Sequence, residues 1–114
     1  MTTIYKICER EAWRAAEADG AFRGSDVDQR DGFIHFSTAS QVVETAAKHF
    51  AGQCDLMLVA VDGDVLGSAL QWERSRGNDL FPHLYAALPL SAVRWARPLP
   101  DESDGRRVFP ELKP

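Results

Sequence analysis

Apolar positions recur along this chain with period two in some stretches and about 3.6 in others, and the switches between these rhythms predict its elements. Thr3 to Cys8 (TIYKIC) is rich in β-branched and aromatic residues and reads as a strand, with Ile4, Lys6 and Cys8 on one face and Tyr5 and Ile7 on the other. Glu9 to Asp19 reads as a helix: Ala12, Trp13 and Ala16 fall at helical spacing, Glu9 and Glu11 occupy the first turn, and Gly20 can end it. Ala21 to Asp31 mixes Gly, Ser and Asp without a period and reads as a surface loop long enough to cover a site.

Gly32 to Phe36 is expected to be a strand. Thr38 and Gln41 have capping-box spacing, which starts a second helix with Val42, Val43, Ala46, Ala47 and Phe50 as its apolar stripe and Gly52 as its stop. The unbroken apolar run Leu56 to Val61 suits a strand buried on both faces, the centre of the sheet. Ala69 to Arg74 alternates, placing Leu70 and Trp72 on one face and Gln71 and Glu73 on the other. Leu80 to Leu84 is interrupted by Pro82 and reads as an edge or a bulge, and Ala92 to Pro98 supplies a last strand. Residues 1–99 thus form a single α+β domain, with helices early and strands late, and residues 100–114 a C-terminal tail along the surface.

Composition narrows the function classes. The 114 residues are 45% hydrophobic and 26% charged, as in an ordinary globular domain, and the formal net charge of -4 argues against nucleic acid as a partner. MTTIYKICEREAW shows neither a signal peptide nor a membrane span, so the expectation is a cytoplasmic protein with no membrane partner. Cys8 and Cys54 form no C-x-x-C pair and are expected to be small buried hydrophobes rather than a disulfide or a metal site.

Candidate chemistry gathers on two histidines. His35 shares a strand face with Phe33 and Ser37, and Ser37 and Thr38 stand at a strand-to-helix switch, where backbone N–H groups and the helix dipole attract anions such as a pyrophosphate. A packed histidine beside a hydroxyl that only caps a helix explains the same residues. His83 shares a face with Phe81 and Tyr85, which suits either a flat ligand or an aromatic cluster at a sheet edge. Glu73, following Trp72, is a candidate carboxylate partner, or a solvated charge at a strand end. His35, His49, His83 and Glu73 lack the spacing of metal ligands, and nucleophile-elbow, dinucleotide and P-loop fingerprints are missing.

As a set, YKI, DGFIHFSTASQV, DLMLVAVD, LQWE and FPHLY resemble the bacterial family called domain of unknown function 952, over Ile4 to about Leu99. The resemblance implies the fold of the ADP-ribosyltransferases: a split, strongly bent, mainly antiparallel sheet with two helices around a cleft for NAD. Lys6 falls where that family carries a histidine on its first strand, His35 falls near its aromatic position, and its late glutamate corresponds to Glu73 or to His83. On this reading Tyr5, Lys6, His35, Ser37, Thr38 and Tyr85 bind NAD or an ADP-ribose-like nucleotide. His35, Glu73 and His83 then do the chemistry of a glycosyltransferase of the ADP-ribosyltransferase type. The alternatives are a non-catalytic module that recognises a small molecule or protein through Phe81, Tyr85 and Trp95, and a metal-assisted hydrolase using His35 and His83. The nucleotide reading requires both imidazoles to open into one hollow beside the start of the second helix.

Overall fold

A computed structural model describes residues 2–100 and 107–114 of the chain. Its central sheet has the order β1–β4–β8, formed by Thr3–Glu9, Leu56–Asp62 and Val93–Leu99, with both pairings antiparallel. The middle place of β4 follows from its sequence. Met57, Val59 and Val61 enter one core with Ile4 and Cys8 of β1 and with Trp13 and Ala16 of α1 (Arg10–Asp19). Leu56, Leu58 and Ala60 enter a second core with Tyr5, Ile7, and Val42 and Ala46 of α3 (Val42–His49). A strand covered on both faces has no polar side to present, and each fully buried Leu or Val in it contributes roughly 1.5–3 kcal/mol.

A second antiparallel sheet, in the order β3–β6–β5, is built from Ile34–His35, Leu80–Leu84 and Leu70–Arg74, and a short pair joins β2 (Ala21–Phe22) to β7 (Leu88–Pro89). Ile34 and Leu84 anchor the second sheet to the first core. Tyr5 and Ser37 exchange backbone hydrogen bonds of 2.7 and 2.9 Å, which tie the central sheet to the chain just past β3. The molecule is therefore α+β with antiparallel sheets divided into separate pieces.

Several expectations change. The stretch Ala21–Asp31 contains β2 and a third helix, α2 (Asp26–Asp31), whose N-cap Ser25 accepts from the Asp28 N–H while the Asp28 carboxylate accepts from the Ser25 N–H. A period search passes over α2 because its buried residue is an aspartate. The second expected helix begins at Val42 instead of after Thr38. Gln41 Oε1 does accept from the Thr38 N–H at 3.0 Å, but the Thr38 hydroxyl bonds Ser40 Oγ, so half of the capping box forms. That helix ends at His49, ahead of Gly52.

Strand β6 lies at the centre of its sheet, not at an edge. Pro82 is tolerated there because β3 is only two residues long. Phe36 N–H donates to the Pro82 carbonyl at 3.0 Å, proline has no N–H to return, and the ladder stops. Cys8 is buried, whereas Cys54 is exposed and does not pack as a hydrophobe. Beyond residue 106 the chain lies on the second core through Phe109 and Leu112. Among the described residues no helix is long and apolar enough to cross a membrane.

Candidate functional site

The site is organised around one buried carboxylate. Asp28, 2% exposed, accepts from Lys6 Nζ at 2.8 and 3.0 Å, from the Ser25 N–H at 2.8 Å and from the His35 N–H at 3.1 Å; its Oδ1 lies 2.6 Å from His35 Nδ1. Lys6, the charged residue of an otherwise apolar strand, is thereby neutralised where β1 passes α2. Burial works against ionised Asp28, but the His35 hydrogen bond and the Lys6 charge outweigh it and hold the carboxyl well below the usual carboxylate range. Burial pulls the Lys6 ammonium below its ordinary value, with Asp28 opposing the fall.

His35 is held from both sides, since its Nε2 lies 2.9 Å from Asp31 Oδ2. Both of its ring nitrogens are thus engaged by carboxylates within the protein. His83 is held differently. Its Nδ1 lies 2.7 Å from Glu73 Oε1, and among the described residues its Nε2 has no hydrogen-bond partner. Tyr85 donates its hydroxyl to the same Glu73 oxygen at 2.7 Å. The hydrogen bonds from Tyr85 and His83 hold Glu73 below its ordinary value, and Glu73 pushes the Tyr85 phenol up. Phe33 stacks on the His83 ring at 4.1 Å and touches the rings of His35 and Tyr85 at 4.5 and 5.2 Å.

His35 and His83 are register partners across β3 and β6, with ring centroids 5.6 Å apart. Both line one cleft of about 590 Å³, within the range of small-molecule sites, whose walls also carry Tyr5, Lys6 and Ser37 with Thr45 and His49 from α3 and Phe50 at its C-cap. The remaining sequence candidates stand outside this lining: Glu73 and Tyr85 behind His83, and Thr38 at the approach to α3. The backbone donors at the strand-to-helix switch are engaged inside the protein, Ser37 N–H with the Tyr5 carbonyl and Thr38 N–H with Gln41. Tyr5 offers its ring, because its hydroxyl both donates to the Lys113 carbonyl and accepts from the Lys113 N–H. Trp95 packs on the second core from β8, in a different sheet from the strand that carries Phe81 and ends just before Tyr85.

Sequence reasoning missed Asp28, Asp31 and the stacking role of Phe33. The signal for Asp28 was present in Ser25–Asp28, a Ser-x-x-Asp capping pattern inside the stretch read as a loop.

Residues 7–96 match the family described as protein of unknown function (DUF952). The crystal structure of protein CC0527 from Caulobacter crescentus is similar to this chain at 50% identity and a TM-score of 0.90, with 94% of each chain covered. Its solution NMR structure is similar at 52% identity and a TM-score of 0.81, covering 92% of this chain and 90% of that one. No curated protein matches the chain.

Proposed function

The chain belongs to the DUF952 family, and on the geometry of its cleft we propose that it binds a nucleotide of the NAD or ADP-ribose class, in a fold of the ADP-ribosylation type. The carrying observation is that two imidazoles from distant parts of the chain line one cleft of about 590 Å³, between a sheet edge and α3. The Tyr5 ring and the His35 imidazole offer flat walls, and the hydroxyls of Ser37 and Thr45, 2.8 Å apart with Thr45 donating to the Gln41 carbonyl, line the cleft with oxygens suited to a ribose. Glu73, which a transferase would turn on the cationic ribose, is committed instead to His83 and Tyr85. Nucleotide binding is therefore the activity this cleft supports, and ribosyl transfer through Glu73 is not part of the proposal.

Thermal unfolding with millimolar NAD and ADP-ribose tests the reading. A ligand at 100 times its Kd stabilises by about 2.7 kcal/mol, a rise of roughly 10 °C for a domain of this size. Either nucleotide should raise the Tm, and His35→Ala should abolish the rise. A melting curve that neither nucleotide moves rules the proposal out.

A further inference from the structure

We infer that His83 is the hydroxyl-recognising residue of this cleft: its Nε2 accepts a hydrogen bond from a hydroxyl of the bound ligand, and Glu73 and Tyr85 act as positioning residues. The ligand class is a ribose-bearing nucleotide, so the inference rests on the preceding reading.

The argument begins with how fully the His83 ring is fixed. Glu73 Oε1 holds Nδ1 at 2.7 Å, Phe33 covers one face at 4.1 Å and 24°, and His35 meets the ring edge-on at 5.6 Å. Among the described residues Nε2 has no protein partner, and the ring lines the cleft, where that nitrogen is open to a ligand. A histidine that merely packs satisfies both nitrogens, as His35 does through Asp28 and Asp31. Here the carboxylate takes Nδ1–H and leaves the Nε2 lone pair for a ligand, since the bond made by one ring nitrogen decides where the proton sits on the other.

Two neighbouring imidazoles thus have different work. His35 has both nitrogens committed to carboxylates; His83, with one committed, keeps the other for a ligand hydroxyl. Tyr85 donates to the same Glu73 oxygen and holds the carboxylate against the ring.

Ring-nitrogen NMR of the full chain with ¹⁵N-labelled histidine tests this. Neutral His83 should carry its proton on Nδ1. Glu73→Ala, at a side chain 41% exposed and so compatible with folding, should move the majority of the ring to the Nε2–H form. Tyr85→Phe should shift the population the same way by less. ADP-ribose should move the His83 Nε2 resonance more than Nδ1, and Glu73→Ala should weaken its binding about tenfold, the worth of one well-placed hydrogen bond. A neutral His83 protonated on Nε2, or a tautomer that Glu73→Ala leaves unchanged, overturns the inference. If the tautomer responds as stated and neither NAD nor ADP-ribose binds, the positioning of His83 is upheld and the nucleotide reading falls.

Discussion

At the level of single residues, the molecule keeps an ion pair where a charge alone would be intolerable. Lys6 and Asp28 are 5% and 2% exposed, and each is acceptable only because the other, with His35 and the Ser25 amide, completes its hydrogen bonds. Asp28→Asn should therefore cost about 3 kcal/mol in urea denaturation at neutral pH, the usual cost of stranding one member of a buried pair. The sign with pH follows from the depressed Asp28 value. Its stabilisation is complete above the unfolded carboxylate pKa of about 3.9 and drains away as pH falls further, because the unfolded chain takes up the proton first. Wild-type stability should thus drop more steeply below about pH 4 than that of Asp28→Asn. Parallel slopes would mean that the pair contributes nothing through Asp28 ionisation. The two thiols make a separate case. Burial, against the opposing Lys6 charge, pushes Cys8 up to about 12, whereas Cys54 is exposed. A thiol reagent should label one cysteine in the native protein and both in denaturant. Labelling of Cys8 as fast as Cys54 would contradict its burial.

The elements around the site depend on two glycines of unequal importance. Gly24 precedes α2 at φ 102, and a Cβ there would stand 2.7 Å from the Asp28 Cβ; Gly32 closes α2 at φ 87 with open space around it. Gly32→Ala should cost about 1–2 kcal/mol, the left-handed penalty alone. Gly24→Ala should cost at least twice that and should also displace the His35 ring resonances, since the clash falls on the Cβ of the Asp28 side chain that holds them. Equal losses by chemical denaturation would show that Asp28 yields without consequence. The same elements explain what a reader of the sequence can and cannot see. β4 is legible because burial on both faces removes every polar position from Leu56 to Val61. α1 is legible because Trp13 and Ala16 repeat at helical spacing and Gly20 stops it. α2 is not, since its one apolar residue, Val27, is 49% exposed and its buried residue is Asp28, so it carries a capping signal and no hydrophobic period. The central place of β6 is hidden because Pro82 marks an edge unless the neighbouring strand happens to end beside it. His35 and His83 could each be picked out by their aromatic neighbours. Their meeting depends on the β3–β6 register, a long-range pairing that no local pattern encodes.

Across the whole molecule, the wall of the cleft that carries Tyr5, Phe50 and Gln53 is braced from outside by the end of the chain. Phe109 and Leu112 pack on the second core, Arg107 donates to the carbonyls of Phe50 and Gln53, and the Tyr5 hydroxyl is tied to both backbone groups of Lys113. Residues 107–114 lie beyond the stretch that matches the family, yet they hold cleft-lining residues in place from behind. A chain ending at Pro100 forfeits two half-buried apolar side chains and the Tyr5 anchor, so it should lose about 2–4 kcal/mol in urea denaturation. It should also bind ADP-ribose more weakly, because the Tyr5 ring loses the contact that fixes its angle. Tyr5→Phe separates the two effects: it removes the tie to Lys113 and keeps the apolar packing, and should cost about 1 kcal/mol. If truncation leaves the denaturation midpoint where it was, the C-terminal segment rests on the fold without supporting it, and the cleft stands on the two sheets and α3 alone.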